Sequence, residues 1–323
     1  MIVTRFLCLL ATLLATLFAL AARPALAAAD TPVFHVRGAD ILTPSGERFV
    51  ARGINLQYGD KPATALPAIA AIASVHANIV RLELRQNTSA EEVRAAFDAA
   101  VAHHLPVMAM LWESDITCGH DANILTQDVR NLWLGRWRDV LLEAKYQPYL
   151  MINLANEWGK PDDGFRDYLA AYKGLIGEVR AAGFRVPIVI DAADCGQDAS
   201  SFLDGRGAAL EAADPLHNLI LSVHAYNKPW NSAERIDGHL NDLQATGLPF
   251  IIGEFGDREL DEDGGNHVDH IHLMQTASDR GIGWLAWSWK GNGGATRVLD
   301  MSRQYGTADP TRRGQDVSGF LAK

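Results

Sequence analysis

The chain has 323 residues, 48% hydrophobic and 21% charged, a balance that excludes disordered, collagen-like and low-complexity proteins. Asp plus Glu number 39 against 29 Lys plus Arg, a net charge of −10, which argues against nucleic acid and anionic membrane surfaces as partners. The length suits two ordinary domains, or one (β/α) barrel behind a targeting segment.

Residues 1–27 read as a secretory signal peptide. Arg5 gives a positive start, Phe6 to Ala22 is apolar apart from Thr12 and Thr16, and Ala25-Leu26-Ala27 has the small-x-small form of a cleavage site. An uncleaved anchor is the alternative, since the apolar run approaches spanning length. The Arg23-Pro24 break before small residues favours cleavage. Cleavage removes Arg5, Arg23 and Cys8, leaving a net charge of about −12 with Cys118 and Cys195. The mature protein is then secreted or periplasmic, with no membrane attachment, and a disulfide is permitted there. Two separate buried thiols fit the sequence equally well.

After Asp30, Phe34–Val36 and Ile41–Leu42 flank a turn and suggest a small hairpin closing the bottom of a barrel. Strand-like runs follow at Phe49–Asn55, Asn78–Leu84, Pro106–Leu111, Tyr149–Ala155, Val186–Ile190, Leu219–His224, Pro249–Gly253 and Gly283–Trp287. Helical patterns alternate with them: Pro62–His76, a helix opened by the capping box Ser89-Ala90-Glu91-Glu92, a long amphipathic segment over Ile124–Lys145, and Phe165–Ala181 ended by Gly183. Ser201–Ala213, Ser232–Thr246 and His267–Arg280 complete the alternation.

The eight runs are continuously apolar rather than alternating, which means burial on both faces, as in parallel strands covered by helices. The expected fold is a single α/β (β/α)8 TIM barrel with a short N-terminal β-hairpin, occupying residues 30–323 as one catalytic domain. A doubly wound open sheet is the alternative, but no glycine-rich phosphate loop follows the first strand.

Barrel enzymes carry their chemistry at the C-terminal ends of the strands. Those positions hold Asn55, Arg81, Ser114-Asp115, Asn156-Glu157, Asp191, His224-Ala225-Tyr226, Glu254 and Trp287. Helix capping or a buried ion pair accounts for any one of them singly. Together they place Glu157 and Glu254 on opposite strands of one mouth. Glycoside hydrolysis needs such a pair, one carboxyl to protonate the leaving oxygen and one to attack or stabilise the anomeric carbon. Arg81, His224 and Tyr226 can separate the two acidities.

Asn156-Glu157-Trp158, His224-Ala225-Tyr226, Ile252-Gly253-Glu254-Phe255-Gly256 and Trp284–Gly293 resemble glycoside hydrolase family 5. The nearest branch is the bacterial endo-β-1,4-mannanases, with Arg52-Gly53-Ile54-Asn55 and Asp191-Ala192-Ala193 in similar settings over roughly residues 33–305. The resemblance implies a retaining mechanism with carboxyls about 5–5.5 Å apart. Glu157 would be the acid/base and Glu254 the nucleophile, kept ionised by Arg81 and placed by Tyr226. Asn156 would hold the region of the sugar 2-hydroxyl, His224 would contact the sugar or Glu157, and Trp287 would stack under the reacting ring.

Two stretches depart from the family. Ser114 stands where strand three commonly carries a histidine, and the Gln57-Tyr58-Gly59-Asp60 loop is short. Both loops are expected to line the glycone side. The implied substrate is mannan or glucomannan, with β-1,4-glucan second; a non-catalytic carbohydrate-binding barrel is a third reading. A monomer without cofactor or metal is expected.

Other features fit structural roles. His267, His270 and His272 with Asp269 read as a solvated helix near the acidic Asp261-Glu262-Asp263 loop. Trp133, Trp137 and Trp289 read as core, and Asp191 and Asp194 as loop caps. A Cys118–Cys195 bridge would have to cross the mouth of strand four and would stiffen the site.

Overall fold

The computed structural model describes residues 31–257 and 267–322. The signal-peptide reading of residues 1–27 and the Asp261-Glu262-Asp263 loop lie outside the described residues. From Pro32 onward the chain forms one compact unit.

Strands β1 (His35–Arg37) and β2 (Asp40–Leu42) pair antiparallel. The next eight close a parallel barrel in chain order: β3 (Arg52–Leu56), β4 (Ile79–Leu84), β5 (Val107–Leu111), β6 (Leu150–Asn153), β7 (Ile188–Asp191), β8 (Leu219–Ala225), β9 (Phe250–Phe255) and β10 (Gly283–Ala286), with β10 paired back to β3. The hairpin seals the N-terminal end, where Phe34 and Ile41 pack with Ile79, Met108, Met151, Val189, Ile220, Ile251 and Leu285.

The strand period of two converts this apolar layer into a polar one above it. Two residues beyond Ile79, Met151, Val189 and Ile220 stand Arg81, Asn153, Asp191 and Ser222, all buried. Glu254 breaks that count, being three residues beyond Ile251. A register shift between β8 and β9 corrects it: Val223 pairs with Ile252 but His224 with Glu254, so Gly253 is the extra residue and Glu254 turns inward. Only glycine fits there, because a Cβ on residue 253 would lie 2.3 Å from Ser222 Oγ.

The outer helices follow the predicted alternation with local breaks. Pro62–His76 divides into Pro62–Ala65 and Ala68–Ser74 around Pro67, which has no N–H to continue the ladder. The Ser89 capping box forms as expected, Glu92 N donating to Ser89 Oγ at 3.1 Å and Ser89 N to Glu92 Oε2 at 2.8 Å. Ile124–Lys145 is not one helix. Ala122–Asp128 passes into a π-helical stretch, Val129–Arg136, and then Arg138–Leu141. The wider turn points Trp133 and Trp137 inward, edge to face at 5.1 Å, with indole N–H groups donating to the carbonyls of Leu154 and Thr88. Both are core, as read from sequence.

Candidate active site

Glu157 lies four residues beyond the end of β6, with a left-handed backbone, φ 55°. Its N–H donates to Asp191 Oδ2 at 3.2 Å, and its Oε1 is 2.7 Å from His224 Nδ1. The side chain is 12% exposed, opening on the cavity. Glu254 is more enclosed, held by Arg81 Nη1 and by the Tyr226 hydroxyl, which donates to Oε2 at 3.1 Å. One ligand atom from each of Glu157, His224 and Glu254 lies within 4.8 Å of the other two.

Arg81, wholly buried on β4, organises the floor. Besides Glu254, its guanidinium donates to Asn55 Oδ1 at 3.0 Å, Asn153 Oδ1 at 2.7 Å, Asn156 Oδ1 at 2.8 Å and Asp191 Oδ2 at 3.1 Å. Asp191 corrects the sequence reading. It is no loop cap but a buried partner of Arg81, of the Glu157 backbone and of His224, whose Nε2 lies 3.5 Å from Oδ1.

Burial pushes the Glu157 carboxyl up to about 7, against the lowering influence of His224. The same burial would push the His224 imidazole down, but the charges of Glu254 and Asp191 and the contact with Glu157 outweigh it and raise His224 to about 10. Burial likewise disfavours the Asp191 carboxylate, and the charges of His224 and Arg81 override it, holding Asp191 at about 2. Two cations and carboxylate partners thus surround one carboxyl that keeps its proton near neutrality. A carboxyl that keeps its proton near neutrality is what a general acid requires.

The cavity over these groups, about 270 Å³, is also lined by Gln57, Trp112, Thr117, Cys118 and Trp287. Trp287 presents a half-buried indole whose N–H donates to Asn292 Oδ1 at 2.9 Å. Trp289 is core, donating to the Tyr305 carbonyl. Ser114 does not reach the cavity. It is exposed, and Trp112 and Thr117 of its loop line the wall instead, with Arg85 stacked 3.6 Å over Trp112. A larger cavity, about 450 Å³, between Phe202–Ala208 and Asp242–Leu248 has only Asp204 and Asp242 as titratable walls and assembles no comparable chemistry.

The three helix histidines do not converge. The helix starts only at His270; that residue faces Asp316 and His272 faces Asp237. Among the described residues, the one group of three close enough to hold a metal ion is Glu157, His224 and Glu254, and there His224 Nδ1 is already committed to Glu157.

The family description "Cellulase (glycosyl hydrolase family 5)" matches residues 42–293. The chain belongs to glycosyl hydrolase family 5. It is similar to a mannan endo-1,4-beta-mannosidase of Streptomyces lividans, 34% identical over 300 residues that cover 89% of this chain and 74% of that protein. Among solved structures it is similar to the catalytic domain of a mannanase from Streptomyces sp. SirexAA-E, with 30% identity, a TM-score of 0.78 and coverage of 94% and 96% of the two chains. The mannohexaose complex of Thermomonospora fusca beta-mannanase gives 25% identity and a TM-score of 0.76, covering 88% and 94%. Within the family 5 frame, Glu157 and Glu254 occupy the barrel mouth where the sequence placed them, together with Arg81, Asn156, His224, Tyr226 and Trp287. Asn55, Asn153 and Asp191 complete the polar floor. Asn153 was hidden inside the apolar run Tyr149–Ala155, where a lone amide is the only signal.

Proposed function

We propose that this family 5 hydrolase is a retaining endo-β-1,4-mannanase acting on mannan or glucomannan by double displacement. The observation that carries the mechanism is the close approach of Glu157 and Glu254 within 4.8 Å in unlike surroundings. Retaining enzymes need that short gap, since inverting ones leave room for a water between carboxyls about 6.5–9.5 Å apart. The substrate reading is supported by the mannan-degrading relatives.

In the first step Glu254 attacks the anomeric carbon while Glu157 gives its proton to the departing glycosidic oxygen. Arg81 and Tyr226 offset the charge of the Glu254 carboxylate and fix its rotamer. In the second step Glu157, now a carboxylate, takes a proton from water, which attacks the glycosyl-enzyme and frees Glu254. His224 orients Glu157 through the 2.7 Å contact. Asn156, fixed by Arg81, faces the sugar 2-hydroxyl, where hydrogen bonding tightens in the oxocarbenium-like transition state. Trp287 is the platform for the reacting ring. Residues 30–323 act as the catalytic domain, as an exported monomer after loss of residues 1–27. No helix among the described residues is long and apolar enough to cross a membrane.

The test is hydrolysis of soluble mannan, glucomannan and carboxymethyl-cellulose by the purified protein, with product lengths followed in time. Internal cleavage of mannan and glucomannan is expected. Cleavage of the cellulose derivative alone would move the substrate to β-1,4-glucan.

Because Glu157 must be protonated to act as the acid, kcat/KM is expected to fall as pH rises through about 7. His224 favours the ionised form of Glu157, so H224Q should let the carboxyl keep its proton longer. The alkaline limb of the kcat/KM profile is then expected to move to higher pH, alongside a lower maximal rate. A limb that stays in place, or moves down, rules out Glu157 as the group it reports.

A further inference from the structure

We infer that the Cys118–Cys195 disulfide is a positioning element for the acid/base carboxyl of Glu157; the inference rests on the role proposed for Glu157 above. The bridge is formed in the structure, with Cα atoms 4.5 Å apart across 77 residues of sequence. Cys118 comes from the loop after β5 and Cys195 from the loop after β7. The loop between them, after β6, carries Glu157.

Three backbone hydrogen bonds stitch these loops beside the bridge. Cys118 N donates to the Glu157 carbonyl at 3.2 Å, Gly159 N to the Gly119 carbonyl at 2.8 Å, and Asp194 N to the Gly159 carbonyl at 3.0 Å. Four non-glycine residues here, Cys118, Glu157, Asp194 and Cys195, have φ between 53° and 58°. Such a backbone is disfavoured for a residue with a side chain and persists only where the surroundings impose it. Glu157 therefore depends on its neighbours for the backbone that aims its carboxyl.

The bridge also reaches Glu157 from the other side. Gly196, next to Cys195, accepts from His224 N at 2.8 Å and lies so close that a Cβ there would be 2.6 Å from the His224 ring. His224 in turn holds the Glu157 carboxyl. One covalent link thus fixes both the backbone of Glu157, through Cys118, and the imidazole that orients its side chain, through the Cys195 loop. Glu254 depends on this link less: Arg81 and Tyr226 hold it from inside the barrel, and His224 Nδ1 stands 3.7 Å from its Oε2 against 2.7 Å for Glu157.

The test compares the intact enzyme, the same enzyme reduced with dithiothreitol and then reoxidised, and the variants C118S and C118S/C195S. Each is assayed on soluble mannan and on an aryl β-manno-oligoside with a good leaving group, whose departure needs no protonation. Loss of the bridge is expected to lower kcat/KM on mannan by about 10²-fold, the scale of a displacement near 1 Å. On the aryl substrate kcat/KM should stay within a few-fold of the intact enzyme. The alkaline limb on mannan should shift, and reoxidation of the reduced enzyme should restore both. Equal losses on the two substrates, or none, would overturn the inference. An intact enzyme inert on mannan but subject to the same split on another β-1,4-glycan would remove the substrate reading and keep the positioning role; an intact enzyme inert on every β-1,4-glycan overturns both.

Discussion

Replacing Glu254 with alanine is expected to lower kcat on mannan by about 10⁴-fold or more, the scale on which losing the nucleophile of a covalent mechanism is felt. No neighbour can take over. Asp191 points into the Arg81–His224 network, and Glu157 is the group proposed to protonate the leaving oxygen. Added azide separates the two carboxyls by the anomer it gives. In E254A a small anion can occupy the vacated side and displace an activated leaving group once, yielding the α-mannosyl azide. In E157A the glycosyl-enzyme still forms from an activated substrate, and azide attacks it from the other face to give the β-azide. E157A is expected to lose about 10²–10⁴-fold on mannan, the range for a general acid-base. Product configuration read by NMR decides the assignment. The α-azide from E157A would reverse the two roles.

The barrel was legible because burial on both faces writes each strand as an unbroken apolar run, and eight runs alternated with helical patterns. What local pattern could not show were the events inside a run. Gly253 and Glu254 continue a strand in sequence, yet a register shift against β8 decides that Glu254 faces the mouth. Pro67 announced its break plainly, whereas the π-helical Val129–Arg136 has a sequence compatible with an ordinary helix. Strand-end position gathers Glu157, Glu254, Arg81, His224 and Tyr226 at one mouth, where the structure also holds them. It misjudged Asp191, because a carboxylate after a strand looks the same whether it caps a loop or neutralises a buried arginine. The loop carrying Ser114 lines the cavity, but it does so with Trp112 and Thr117, and the position of the missing histidine did not show which side chains of that loop turn inward. The pairing of Cys118 with Cys195 depends on how two loops fold over a third, which spacing alone does not encode.

Substituting methionine for Arg81 is expected to cost about 3–5 kcal/mol in stability, because it strips the cation from a buried network while leaving its anions in place. At about 2–4 °C per kcal/mol for a domain approaching this size, Tm should fall by roughly 10 °C. The loss should depend on pH in a definite sense. Asp191 is held at about 2 by charges that include Arg81. A depressed carboxyl contributes stability at pH above its unfolded value near 3.9, and that contribution fades as pH falls through the folded value. In R81M Asp191 titrates higher, so the variant is penalised most at neutral pH and less once its carboxyl is protonated. The Tm gap between the two proteins is therefore expected to narrow on acidification from pH 7 to pH 4. R81K keeps the charge but cannot direct donors at Asn55, Asn153, Asn156, Asp191 and Glu254 together, so it should recover more stability than activity. A gap that stays constant with pH would mean that Arg81 acts by packing rather than by charge. Recovery of full activity in R81K would mean that the charge alone, and not the fan of donors across the barrel floor, sets the geometry of the site.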